Sequence, residues 1–117
     1  MLIKDIDMFL EEDEDIDFEL FEEEEEEHRI WLEGRVLYVK KYDIKIRAGY
    51  YEAWDEESEK YEIDFDFYMF FNAATNEHLY EEAGSSLEVC LYNYLTSNKN
   101  EMLTMEQVEN LECGSML

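Results

Sequence analysis

The chain has 117 residues, with 33 Asp and Glu against 9 Lys and Arg and a formal net charge of −24 at pH 7. That charge excludes electrostatic attraction to anionic membranes or to free nucleic acid. The 46% hydrophobic and 15% aromatic content supplies the apolar surface that intrinsically disordered acidic chains lack.

The length suits a single domain, 1–117, with a core of its own. No apolar run approaches the roughly 20 residues of a membrane helix. Met1-Leu2-Ile3-Lys4-Asp5 has neither a basic nor a long apolar stretch, so no secretory signal is expected. Cys90 and Cys113 then read as reduced thiols of a cytoplasmic protein. Charge is segmented. Residues 1–27 hold fifteen carboxylates and one Lys, 28–51 six bases and two carboxylates, and 52–82 eleven carboxylates and one Lys.

In chain order, Ile3, Ile6, Phe9 and Leu10 recur at helical spacing and predict a short helix from Ile3 to Glu12. Ile16, Phe18 and Leu20 alternate with acids, as in a strand with one wet face. The six Glu of Glu22–Glu27 predict a solvated turn or loop. Arg29–Leu32 and Arg35–Lys40 flank Glu33-Gly34 and predict a hairpin turning on Gly34. Asp43–Tyr51 predicts a strand with Ile44, Ile46, Ala48 and Tyr50 on one face. Trp54–Lys60 reads as a turn.

Tyr61–Phe71 is the strongest strand signal, with Phe65 among its core-facing residues and Glu62, Asp64 and Asp66 opposite. A loop at Asn72–Glu77 and an edge strand at His78–Glu82 follow. Ser85-Ser86-Leu87-Glu88 predicts a capping box with Ser85 as N-cap, opening a helix with the stripe Leu87, Cys90, Leu91, Tyr94 and Leu95. Cys90 is a small core residue in this reading, and Cys113 lies in a frayed terminus. Thr104 and Gln107 form a second capping box, stapled by Leu103 and Val108. The expected fold is α+β, an antiparallel sheet of four or five strands with short N-terminal and C-terminal helices.

Strand residues two apart are about 6.7 Å apart, close to two phosphate steps along one strand of DNA, about 6.8 Å. The rows Asp13, Asp15, Asp17, Glu19 and Glu62, Asp64, Asp66 therefore suit a phosphate-like array. Glu22, Glu23, Glu24, Asp55, Glu56 and Glu57 extend it. Ordinary solubility needs a net charge of only about 2–8. In size, charge and acidic runs such as Glu11–Asp15 and Glu22–Glu27, the chain resembles the small acidic phage inhibitors of restriction and CRISPR nucleases, many of them nucleic-acid mimics. They share no common motif or fold, so no catalytic residue carries over.

That resemblance implies a non-enzymatic inhibitor that blocks the DNA- or RNA-binding site of a host defence nuclease. The partner is a basic nucleic-acid-binding protein rather than nucleic acid or membrane, and the compartment is the host cytoplasm if the chain is phage-encoded. Tyr50, Tyr51 and Trp54 are candidate anchors, because Tyr and Trp dominate interface hot spots. Monomer and homodimer both remain open. The alternatives are an acidic adaptor for a basic protein and a calcium-responsive module.

Asp13, Asp15, Asp17, Glu19 and Glu24 match EF-hand positions 1, 3, 5, 7 and 12, but Phe18 stands where the loop requires Gly. His28 and His78 have no ligand-spaced companions for zinc. Asp43-Ile44-Lys45 has nuclease-like spacing without a placed upstream acid. No phosphate loop or nucleophile elbow is present. Catalytic residues, metal and cofactor are all expected to be absent. The six bases Arg29, Arg35, Lys40, Lys41, Lys45 and Arg47 are expected to pair with neighbouring acidic strands.

Overall fold

The structure is a computed structural model that describes residues 1–6, 18–23 and 27–115. It has strands β1 (Phe18–Glu23), β2 (Glu27–Val39), β3 (Ile44–Asp55), β4 (Lys60–Asn72), β5 (His78–Ala83) and β6 (Gly114–Ser115), with helices α1 (Leu87–Ser97) and α2 (Met105–Glu109). The sheet is an antiparallel meander in the order β1-β2-β3-β4-β5, and β6 adds to β2. The α+β fold expected from the sequence is present.

Local signals account for most elements. Asn72 ends β4 with a side-chain turn, its Oδ1 accepting from Ala74 N at 2.9 Å and Thr75 N at 3.0 Å, as Asn does in turns. Thr104 and Gln107 form the reciprocal capping box of α2. The α1 cap is displaced by one residue from the expected Ser85. Ser86 is the N-cap, and its Oγ accepts from Val89 N. Ser86 has the extended backbone a cap requires, with ψ 162°.

Four expectations are corrected. The hairpin at Glu33-Gly34 does not form, because β2 runs through it. Trp31 pairs with Gly49 and Val36 with Arg47, so three extra residues of β2 are absorbed as a bulge. A Gly tolerates such a site as readily as a turn. The helix expected from Ile3 is a 3-10 turn, Ile3–Asp5, and Ile6 is extended. Residues 7–17 lie outside the described residues. Of the expected loop at Glu22–Glu27, Glu22 and Glu23 belong to β1 and Glu27 to β2, where pairing with β2 and β3 satisfies their backbones. Cys113 is not in a frayed end. Its N–H bonds Met1 O at 2.9 Å, beside the bridge Leu2↔Glu112.

The main core lies between one sheet face and the helices. Ile44, Ile46 and Ala48 of β3 and Tyr68 and Phe70 of β4 meet Leu87, Cys90, Leu91, Tyr94 and Leu95 of α1. The opposite face carries a second cluster, Phe67, Met69 and Phe71, with Tyr51 against it. Thus β4 is buried on both faces from Phe67 to Phe71. The sequence reading made the Phe65 face the core, but the α1 stripe packs on the Tyr68–Phe70 face.

At −24, self-repulsion opposes this compact state. Raising salt from about 10 mM to about 150 mM shortens the screening length from about 30 Å to about 8 Å. The melting temperature is expected to rise over that range. A fall would mean that attractive ion pairs outweigh the repulsion.

Candidate functional site

The hairpin of β3 and β4 outruns β5 and the helices. β5 pairs with β4 only along Phe67–Phe71, and the helices pack on the same half of the hairpin. The half beyond, Glu52–Phe65, extends past them, with β2 beside it as far as Ala53. The radius of gyration is 15.0 Å with a longest extent of 46 Å, against about 13 Å for a compact chain of this length.

This tip holds seven carboxylates, Glu52, Asp55, Glu56, Glu57, Glu59, Glu62 and Asp64, and one base, Lys60. Its turn is internally braced. Glu57 N–H donates to Asp55 Oδ1 at 3.0 Å, and Ser58 Oγ donates to Glu62 Oε1 at 3.3 Å. Glu59 takes the left-handed conformation at φ 53°. The Glu57 backbone bond outweighs slight desolvation and holds the Asp55 carboxyl below its ordinary value, so Asp55 stays anionic. Lys60 Nζ lies 4.0 Å from Glu62 Oε1, with both side chains largely exposed. Such a pair neutralises little.

Apolar side chains accompany these charges. Trp54 is 42% exposed, Ile63 58% and Phe65 38%. Trp54 and Tyr61 are cross-strand partners with ring centroids 5.2 Å apart, edge to face, a favourable aromatic geometry. The tip is therefore acidic and apolar at once.

Sheet register gathers some of the expected site residues and separates others. Glu23 pairs with His28, His28 with Glu52, and Glu52 with Ile63, so one row crosses the sheet from β1 to the tip. Glu22, Glu23, Asp55, Glu56, Glu57, Glu62, Asp64 and Trp54 thus share one end. Glu19 pairs with Trp31, nearer the sheet's middle. Asp13, Asp15, Asp17 and Glu24 lie outside the described residues.

The even row expected of Glu62, Asp64 and Asp66 is not formed. Tyr51 pairs with Phe65 but Glu52 with Ile63, leaving Asp64 unmatched in a bulge. A bulge bends the strand and interrupts its alternation. Asp66 pairs with Tyr50 on the helix-covered face, where its charge helps to raise the Cys90 thiol pKa, which burial raises most. Tyr50 and Tyr51 point to opposite faces. Tyr50 packs against the main core, while Tyr51 stacks on Phe65 at 4.5 Å and Phe67 at 4.9 Å and donates to Glu81 Oε1 at 2.8 Å. Of the three candidate anchors, Tyr50, Tyr51 and Trp54, only Trp54 is exposed.

The basic segment serves varied ends. Lys45 Nζ donates to Asn76 Oδ1 and lies 5.7 Å from the Phe71 ring centroid. Lys41 Nζ lies 5.5 Å from that of Tyr42. Lys40 and Lys41 line a cleft of about 520 Å³ with Asn110, Leu111 and Glu112, remote from the tip. Among the described residues no group of three or more His, Cys, Asp or Glu is placed to hold a metal, and no helix is long and apolar enough to cross a membrane.

Glu82 is a carboxylate with a structural task. It accepts from Tyr80 OH and from Asn93 Nδ2, the latter at 2.9 Å, and so ties β5 to α1. Burial alone would raise its pKa, but bonds from Tyr80, Asn93, Cys90 and Ser85 prevail and hold it below the ordinary value. A depressed carboxyl stabilises the fold above its unfolded pKa and loses that contribution as pH falls through the folded value. The stability gap between the native chain and Glu82→Gln is therefore expected to narrow below about pH 4. Parallel melting curves check this, and a gap constant with pH would assign Glu82 no such role.

Comparison with protein-family models, curated protein sequences and solved structures returns no match.

Proposed function

We propose that the protein is a non-enzymatic inhibitor. It sets its acidic tip in the nucleic-acid-binding groove of a basic protein, a defence nuclease such as a CRISPR effector or restriction enzyme, in the host cytoplasm. The observation that supports this most is the projecting β3–β4 tip, with seven carboxylates and one Lys beside exposed Trp54, Ile63 and Phe65. Lys and Arg that hold phosphates would hold these carboxylates, some bidentately. The apolar side chains would exclude water from the contact, as residues around a hot spot do. With Asp64 bulged out of register, the mimicry is of a dense local charge rather than of a ruled phosphate ladder.

The test is competition. The immobilised protein captures its target from host lysate, and capture is expected to fall with duplex DNA or guide RNA as competitor and to weaken steeply with salt. The variant Asp55→Asn, Glu56→Gln, Glu57→Gln and Glu62→Gln should fold normally and bind roughly 10- to 100-fold more weakly, at about 0.2–1 kcal/mol per lost pair. A ternary complex of target, nucleic acid and this protein, with the neutralised variant fully active, would sink groove occupancy.

A further inference from the structure

Among the described residues, the tip also leaves a strand edge open. Gly84, at φ 77°, turns the chain away after β5, and its N–H makes the last bond to β4, on Asp66 O at 3.0 Å. Beyond that bond, among the described residues, Glu62, Ile63, Asp64 and Phe65 have β3 as their sole neighbouring strand. An antiparallel strand directs part of its N–H and C=O groups to each side. One side of this stretch therefore presents backbone donors and acceptors to whatever approaches. Such an edge templates the addition of a further strand.

Two features decide what the edge accepts. Ile63 and Phe65 are 58% and 38% exposed, so an added strand finds apolar surface as well as hydrogen bonds. The flanking charges are Glu62, Asp64 and Asp66, with Lys60 at the strand's start. A second copy of this chain pairing antiparallel here would set carboxylates beside carboxylates, which is destabilising across strands. The bulge at Asp64 bends the edge and further disfavours flat self-pairing. A cationic strand escapes the charge obstacle, since its Arg or Lys side chains would meet a net negative stretch, and a short extended segment can follow the bend.

We infer that Glu62–Phe65 is a strand-addition site for an extended, cationic segment of a partner protein. This rests on the proposal that the tip meets a basic protein and adds the mode of engagement. Main-chain bonds along β4 supply affinity, Ile63 and Phe65 offer apolar surface on either side of the bulge, one to each face of the sheet, and the net negative charge selects for a positive segment.

The probe is a capped octapeptide alternating Arg and Val, with a companion N-methylated at every second residue. Both carry the same charge, and the methylated peptide cannot complete a ladder. The full chain is expected to bind the first peptide about tenfold more tightly than the second. Amide hydrogen exchange should slow at Glu62–Phe65 and not along β1 or the outer edge of β5. Ile63→Lys, at an exposed position, is expected to weaken the first peptide by about tenfold while leaving the melting transition intact. Equal binding of both peptides, or protection confined to another edge, would overturn strand addition while leaving the acidic tip as a charge-driven site. Failure of both peptides to bind at low salt would overturn the tip reading itself.

Discussion

Phe70→Ala is expected to lose about 3–5 kcal/mol of stability, as a fully buried aromatic does. Phe70 is 0% exposed, and its ring meets Tyr80 of β5 at 5.4 Å and Tyr94 of α1 at 5.3 Å, both edge to face. It joins β4, β5 and α1 at one point, so truncation opens a cavity between the sheet and its main helix. Phe65, five residues away in the exposed tip and 38% exposed, leaves no sealed cavity when truncated. Phe65→Ala should cost about 1–2 kcal/mol, in proportion to the apolar area it still covers. Urea unfolding at about 150 mM salt, where repulsion is screened, separates the two. Equal losses would mean that the tip face is as tightly packed as the helix-covered face. Against a total of about 5–15 kcal/mol for an ordinary domain, the larger loss should leave a marginal protein. The smaller should leave a folded one whose tip can still be assayed.

That contrast reverses the expectation from the sequence that Phe65 lies in the core. The alternation of Tyr61–Phe71 announces a strand, and the Leu87–Leu95 stripe and Thr104–Gln107 box announce helices, because these signals are local. The face of β4 that meets α1 is not a local property. Tyr68 and Phe70 are as apolar as Phe67 and Met69, so alternation cannot rank the two faces once both are aromatic. The Glu33-Gly34 pair reads as a turn for a related reason. Gly suits a hairpin and a bulge alike, and only the pairing of Trp31 with Gly49 and Val36 with Arg47 distinguishes them. Asp55–Glu57 and Trp54 were legible as an acidic turn with an exposed ring. Ile63 and Phe65 were missed because their exposure depends on where β5 stops. The lengths hinted at it, since His78–Glu82 is half as long as Tyr61–Phe71 and cannot cover it.

Gly49→Ala is expected to destabilise the sheet by about 1–3 kcal/mol or more, the range for a side chain forced into filled space. The opposite sign would be the default. Gly in a strand interior is worse than Ala by roughly 0.5–1 kcal/mol, because it loses more backbone freedom on folding. Here the space is already taken. A Cβ on Gly49 would stand 2.4 Å from the Ile30 carbonyl oxygen and 2.5 Å from Phe67 Cζ. The Phe67 ring can swing only at the expense of its own burial, which is complete, and of its contact with Tyr51 at 4.9 Å. The Ile30 carbonyl belongs to the β2 backbone and can move only with that strand. Gly49 therefore sets how closely β2 approaches β3 and how flat Phe67 lies on the sheet. Relief of the clash would disturb the Tyr51–Phe67 stack and, through it, the Tyr51 bond to Glu81 that crosses to β5. Denaturant midpoints of the variant should fall, and amide exchange should quicken first at Ile30, Gly49 and Phe67. An unchanged or raised midpoint would show that β2 and β3 stand further apart than this register holds them.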